Sequence, residues 1–235
     1  MSVSFGKSIL FLCPHPDDEV VAAFAAVGRA KAQGSKVAVL FLTHGCLDAQ
    51  TVWPWSRAGH AAIVARRRAE AEREVRAAIA AHAIDQVWTP AYEGGNPDHD
   101  GANAIASRLA AEGMNVLEFA EYSLAGGKAR SHRFPLLNGA EEVLPLTAAE
   151  RTAKRHALAL YASEKANLDY VGTEREVLRP LAAYDYARPP HEGKLFYARF
   201  QWVPFRHPRV DFTQPVEVTQ AISNYLGLGN SGVKL

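Results

Sequence analysis

The sequence lacks several features that would assign a protein to a class at once. It contains only two cysteines, Cys13 and Cys46, which are too few for a disulfide framework. No apolar run approaches the roughly 18 residues that a membrane span needs, and the N-terminus lacks the charged region and small-residue cleavage site of a secretory signal. We therefore expect a soluble, cytoplasmic protein.

The sequence also lacks an excess of charge of either sign. Its 26 basic and 25 acidic side chains give a net charge of +1. Electrostatics therefore gives no reason to expect nucleic acid or an anionic membrane as the partner. The length of 235 residues is enough for one sizeable α/β domain.

The first part of the chain alternates between strand and helix patterns. A nearly continuous apolar run at 8–13 is typical of a buried parallel strand, and a helix at 19–33 and a second strand at 36–43 follow it. Such a βαβ unit predicts an α/β fold, a single Rossmann-like domain with a mostly parallel sheet flanked by helices. Ligands bind such sheets beyond the carboxyl ends of the strands, so we expect the active site there.

The rest of the chain continues this organisation. We expect one domain over residues 1–235, with a core at about 7–165 and a C-terminal segment, 166–235, that completes the site and the sheet. The predicted helices are 61–82, 101–112, 147–161, a short helix at 174–178 and a turn of helix near 218–225. The predicted strands are 86–89, 116–122, short strands at 131–134 and 142–144, and a late strand at 194–202.

An unusual concentration of acid follows the first strand directly. Residues 14–19 read PHPDDE, and the prolines end the strand because they have no N–H group for the ladder. Asp17 and Asp18 could simply cap the following helix and favour its positive end. One cap would suffice, however, and Glu19 adds a third adjacent carboxylate. A bound dication explains this excess of negative charge, whereas capping does not.

A second cluster of acid and imidazole follows the third strand, in the loop AYEGGNPDHD at 91–100. Both clusters should face the crevice at the carboxyl ends of the strands. His15, Asp18 and His99 then offer two nitrogens and one carboxylate oxygen, which is the pattern of a catalytic zinc site with a free fourth position. Asp17 is next to a ligand but points elsewhere, which makes it the candidate general base for a metal-bound water.

These motifs resemble those of the PIG-L/LmbE-like zinc-dependent N-deacetylases, a family that includes de-N-acetylases of N-acetylglucosaminyl conjugates. PHPDDE is close to the opening signature of the family, and NPDH at 96–99 stands where the family usually has HPDH. Weaker similarities are Arg67 with Glu70, and KRHALALYAS at 154–163, so that the resemblance spans about two thirds of the chain.

The resemblance implies roles for individual residues. It implies His15, Asp18 and His99 as metal ligands, with Zn²⁺ or another divalent metal as the cofactor, and Asp17 as the general base. It also implies that zinc acidifies a bound water, which attacks the amide carbonyl of the substrate.

One position departs from the pattern of the family. Asn96 stands where the family commonly has a second histidine, which is thought to help stabilise the tetrahedral intermediate. An amide can donate a hydrogen bond to an oxyanion, but it cannot deliver a proton to the leaving amine. His191, in the proline-stiffened loop ARPPHEG, is the candidate general acid. The alternatives are that His191 is a surface histidine and that Asp17 passes the proton on itself.

Candidate substrate-binding residues follow the second strand. Trp55 can stack on the apolar face of a sugar ring, and Arg57 lies near it in the sequence. Arg67 could point inward to an anionic or hydroxyl-rich substrate. Alternatively, the loop that contains Trp55 and Arg57 is anchored by hydrophobic packing or contacts another subunit. The alternative for Arg67 is a position on a solvent-exposed helix face.

The sequence thus predicts a metal-dependent hydrolase that removes an acetyl or other acyl group from an N-acetylated sugar or glycoconjugate. The alternatives are a metal-dependent amidase for a non-sugar acylated amine or thiol conjugate, and a non-catalytic α/β binding module. A dinucleotide-binding enzyme is disfavoured, because PHPDDE replaces the glycine-rich turn that admits a pyrophosphate. The expected partner is a small-molecule N-acetylated substrate, and assembly into a homo-oligomer is left open.

Overall fold

A six-stranded mixed sheet forms the centre of the fold. The computed structural model describes residues 4–43, 57–161, 168–202 and 212–228, without the side chains of 57–69. The strands are β1 (Ser8–Cys13), β2 (Lys36–Phe41), β3 (Gln86–Pro90), β4 (Asn115–Phe119), β5 (Tyr122–Ser123), β6 (Arg130–Ser131), β7 (Glu142–Pro145) and β8 (Arg175–Pro180). The helices are α1 (Asp18–Ala32), α2 (Arg57–His82), α3 (Pro97–Ala111), α4 (Ala148–Leu160) and α5 (Pro215–Leu226).

The strand order confirms the predicted α/β class. The sheet runs β2-β1-β3-β4-β8-β7. The four strands β2, β1, β3 and β4 are parallel to one another, whereas β8 is antiparallel to both of its neighbours, β4 and β7. Strands β5 and β6 form a separate antiparallel pair. Within the described ranges, no helix is long and apolar enough to cross a membrane.

The two faces of β1 carry two hydrophobic clusters, because successive side chains of a strand point to opposite faces. On one face, Phe11 packs against Trp88 of β3, with ring centroids 5.9 Å apart, and against alanines of α1. On the other face, Leu10 and Leu12 pack with Val75 of α2 and with residues of α3. Helices therefore cover both faces of the parallel strands.

Two predictions for the C-terminal part of the chain are wrong. The segment 174–178 was predicted as a helix, but its residues 175–178 belong to strand β8. Its charged residues conceal the strand pattern, because Glu176 and Arg179 are buried and paired with opposite charges inside the protein. The segment 194–202, predicted as a strand, forms successive turns. Its buried residues, 195–198, are consecutive rather than alternating, and local hydrogen bonds such as that from Arg199 N–H to the Phe196 carbonyl oxygen (3.1 Å) pair its backbone.

Helix α1 is broken within its first turns. Ala23 has non-helical backbone angles, φ −142° and ψ 26°. Beyond the break, the N–H groups of Ala25 and Ala26 donate to the two carboxylate oxygens of Glu176 at 3.0 and 2.9 Å. Glu176 thus serves the second part of α1 as an internal cap.

Lys154 of α4 completes this arrangement. Its ammonium group donates to the carbonyl oxygen of Val21 at 2.8 Å and to Glu176 at 2.9 Å, and both side chains are fully buried. Val21 and Ala25 are four residues apart, the spacing of a helical hydrogen bond. The ion pair therefore supplies partners for backbone groups on both sides of the break. It fixes the first turn of α1, which begins at Asp18.

We predict that Lys154→Met lowers the free energy of unfolding by about 3–5 kcal/mol, because Glu176 is left as an uncompensated buried charge. Urea denaturation measures the change. Lys128→Met, at an exposed lysine, is the control and should leave the stability nearly unchanged. Equal stability of the two variants would show that the ion pair does not hold the broken helix.

Candidate metal centre

The first two members of the centre lie where β1 gives way to α1. Pro14 and Pro16 end the strand, and the chain turns so that the N–H of His15 donates to the Asp18 carboxylate at 2.6 Å. Asp18 is the first residue of α1 and is almost fully buried. The local sequence thus orients the carboxylate and the imidazole toward one point beyond the carboxyl end of β1.

The third member, His99, lies in the first turn of α3. This helix begins at Pro97 rather than at 101 as predicted, because the Asn96 side chain accepts a hydrogen bond from the N–H of Asp98 at 2.8 Å and caps the helix. A proline in the first turn is also favourable. The early start gives His99 a fixed helical position, and its side chain is fully buried.

The three side chains converge on one point. The distances are 3.3 Å between His15 Nδ1 and His99 Nε2, 3.2 Å between His99 Nε2 and Asp18 Oδ1, and 3.8 Å between His15 Nδ1 and Asp18 Oδ2. The edge of a tetrahedron with metal–ligand bonds of 2.0–2.2 Å is about 3.3–3.6 Å. Within the described residues, this is the group of histidine and acidic side chains that could hold a metal ion. The donor set fits a zinc-type site.

The charges at the centre favour a cation. Burial alone would raise the pKa of Asp18, but the neighbouring His99 and His15 hold it below its usual range. Burial lowers the pKa of His15, but hydrogen bonds to Asp18 and Asp98 outweigh this effect and raise the pKa to about 10. The Asp98 carboxylate lies 3.3 Å from His15 Nε2. Both carboxylates thus stabilise positive charge at this point.

A buried carboxylate behind His99 was not predicted from the sequence. Glu121 follows β4, and its Oε2 atom lies 3.5 Å from His99 Nδ1. Among the described residues, neither Nδ1 nor the two carboxylate oxygens has a hydrogen-bond partner. Burial and the charge of Asp18 raise the pKa of Glu121. A carboxylate facing the outer nitrogen of a metal-binding histidine commonly fixes the tautomer that leaves Nε2 free for the metal.

An aromatic wall, formed by Tyr122, Tyr170 and Phe196, borders the centre. The ring of Tyr122 packs edge-on against His99, with centroids 5.5 Å apart. Phe196 lies 4.9 Å from Tyr122 and 4.9 Å from Tyr170. Tyr170 and Phe196 come from the C-terminal segment, so this segment contributes to the surroundings of the centre.

The three acids of PHPDDE have different environments. Asp17 is at the N-cap position of α1, but its side chain makes no capping hydrogen bond. Glu19 accepts a hydrogen bond from the hydroxyl of Tyr161 at 3.2 Å. Asp18 alone of the three joins the cluster with His15 and His99.

The structure does not bring His191 into contact with this cluster in the described parts of the chain. The loop of His191 packs beside the segment that leads to Asn96, because Phe196 N–H donates to the Gly94 carbonyl oxygen at 2.9 Å. His191 Nδ1 lies 2.8 Å from the carbonyl oxygen of Glu192, while its Nε2 atom is buried and has no partner among the described residues.

The predicted substrate contacts cannot be placed in the same way. Trp55 lies outside the described residues. Arg57 and Arg67 belong to α2, but their side chains also lie outside the described part of the structure.

A family model matches part of the chain. Residues 10–78 match the model of the PIG-L family, described as GlcNAc-PI de-N-acetylase. This region contains the PHPDDE motif, and the match confirms the resemblance inferred from it. No curated protein matches the chain significantly.

Solved structures of deacetylases share the fold. A deacetylase of teicoplanin biosynthesis, in a complex, is 17% identical, with a TM-score of 0.54. The A40926 pseudoaglycone deacetylase Dbv21 is 18% identical and the zinc-inhibited form of teicoplanin deacetylase Orf2 is 16% identical, each with a TM-score of 0.50. Each comparison covers 76% of this chain and 99% of the other. At these identities, the similarity establishes the fold.

We predict that Glu121→Gln weakens zinc binding by about 10–100-fold, because the variant keeps the shape of the side chain but loses the carboxylate behind His99. Competition with a chromophoric chelator measures the affinity. Glu112→Gln, at a surface carboxylate paired with Arg76, is the control and should bind zinc like the parent. Equal affinities in all three proteins would contradict a role for Glu121 in orienting His99.

Proposed function

Because this chain resembles the PIG-L family in its PHPDDE motif and in its fold, we propose that it is a metal-dependent hydrolase that removes an acetyl or other acyl group from an N-acylated sugar or glycoconjugate. The observation that carries the proposal is the convergence of His15, Asp18 and His99 at distances suited to a tetrahedral metal site. Zn²⁺ is the proposed cofactor. The zinc-inhibited form of a structural neighbour supports the entry of zinc into a site on this fold.

The proposed roles of the ligands follow from their chemistry. A divalent cation held by the three side chains would polarise the amide carbonyl of the substrate and acidify a nearby water. Asp17 is proposed to take the proton from the attacking water, as a positioned carboxylate can do.

Asn96 is proposed to stabilise the oxyanion that forms from the substrate carbonyl, and His191 is proposed to protonate the leaving amine. The Asn96 side-chain oxygen is occupied by the cap of α3, so its NH₂ group is the part that can donate to a developing oxyanion. His191 Nδ1 faces a carbonyl oxygen and must therefore carry a proton there, so Nε2 is the nitrogen that exchanges a proton. In the imidazolium form, which carries a proton on both nitrogens, Nε2 would deliver its proton to the leaving amine and return to the neutral imidazole. Trp55, Arg57 and Arg67 are proposed to contact the rest of the substrate. Residues 1–235 are proposed to form a single domain.

The direct test combines metal analysis with a panel of substrates. We expect about one divalent metal per chain in protein purified without chelator, loss of amine release after chelation, and recovery on adding zinc. Release of free amine from N-acetylated sugars, but not from acetylated amino acids or thiol conjugates, would distinguish the sugar deacetylase from a different amidase. If the protein takes up no metal and releases no amine, the non-catalytic binding module is the correct function.

A second prediction concerns the general base. We predict that Asp17→Asn retains bound metal but lowers the rate of amide hydrolysis at least about 100-fold, because a positioned base contributes 10² to 10⁴-fold. Asp185→Asn is the matched control, since Asp185 is exposed and pairs with Arg188. Hydrolysis at the parent rate by the Asp17→Asn protein would remove Asp17 from the mechanism.

A further inference from the structure

Arg199 lies at the outer end of the aromatic wall and has no carboxylate partner among the described residues. Its guanidinium group stacks over the rings of Phe196 and Phe200, at 3.7 and 4.6 Å from their centroids. One amino group, Nη1, donates to the carbonyl oxygen of Phe196 at 2.9 Å. These contacts hold the plane of the guanidinium, and its other N–H groups have no hydrogen-bond partner among the described residues.

Two buried cations in the described part of the chain are each neutralised by a carboxylate. Arg179 pairs with Glu118 at 2.7 Å, and Lys154 pairs with Glu176 at 2.9 Å. Arg199 is only partly buried and has no such carboxylate among the described residues. Burial lowers its pKa, and the nearby phenols of the aromatic wall only partly offset this effect. A partly desolvated cation without a counter-charge is unfavourable until an anion occupies the position.

The position of Arg199 relates it to the metal centre. Phe196, on which it stacks, packs against Tyr122, and Tyr122 packs against His99. Ring contacts through Tyr122 and Phe196 thus connect the metal centre to Arg199.

We propose that Arg199 binds an anionic oxygen group of the N-acylated substrate, a carboxylate or a phosphate, while the acyl group lies at the metal centre. The proposal rests on the proposed function and adds a substrate class to it, namely N-acyl sugars that carry an acid group. The planar fork of a guanidinium matches both anions in a bidentate geometry. Its stacking on two rings holds that fork in one orientation before the substrate arrives.

Binding of matched probes to the native protein tests the proposal. The probes are N-acetylmuramic acid, which carries a carboxylate, N-acetylglucosamine 6-phosphate, and neutral N-acetylglucosamine. We expect titration calorimetry to give at least about tenfold tighter binding of one or both acidic probes, as a charge-assisted hydrogen-bond pair provides. Added salt should weaken the acidic probes selectively, because it screens the interaction.

Variants separate charge recognition from packing. Arg199→Gln should abolish the preference for acidic probes, whereas Arg199→Lys, which keeps the charge but loses the planar fork, should retain part of it. The control is Arg188→Gln, at an exposed arginine paired with Asp185, which should keep the full preference. Thermal unfolding of each variant reports any loss of packing on Phe196.

The outcomes for Arg199 and for the deacetylase are distinguishable. Equal binding of acidic and neutral probes, binding of none of them, or an unchanged preference in Arg199→Gln would overturn the anion site, even if the protein hydrolyses neutral N-acetyl sugars. A preference for acidic probes that Arg199→Gln abolishes would support the anion site. It would do so even if no acetylated substrate released amine, a result that would count against the deacetylase alone.

Discussion

The parallel pairing of β1 with β3 is the constraint on which the site depends. Phe11 and Trp88 are register partners in this pair, so the two strands end side by side at the same edge of the sheet. The turn after β1 carries His15 and Asp18, and the first turn of α3, which follows β3, carries His99. Asp18 and His99 meet at 3.2 Å although 81 residues separate them. The arrangement of the sheet, rather than any local motif, assembles the centre.

The components that could be predicted from the sequence are those specified locally. PHPDDE can be interpreted from the sequence alone, because its prolines end a buried strand and because helix capping does not explain three adjacent carboxylates. The loop containing His99 was predicted to lie at the same edge because both segments follow parallel strands. The start of α3 was missed, since it depends on the cap that the Asn96 side chain makes with the Asp98 N–H.

The components that could not be predicted depend on contacts between distant residues. The strand pattern of β8 was missed because Glu176 is a charged residue at a buried position. Its partner Lys154 lies 22 positions away, in another element. Glu121 lies in a run that alternates like a strand, and only the structure brings it behind His99. Glu121 and Glu176 are both buried, and Lys154 is a buried cation that pairs with Glu176. Such pairs leave no periodic signal in the sequence.

The central claim is that His15, Asp18 and His99 form one metal site, and diffraction data collected at the zinc absorption edge from zinc-loaded crystals test it most directly. The account predicts a single strong anomalous peak bonded to these three side chains at about 2.0–2.2 Å. A peak at other residues, or no peak at this position in fully loaded crystals, would contradict it.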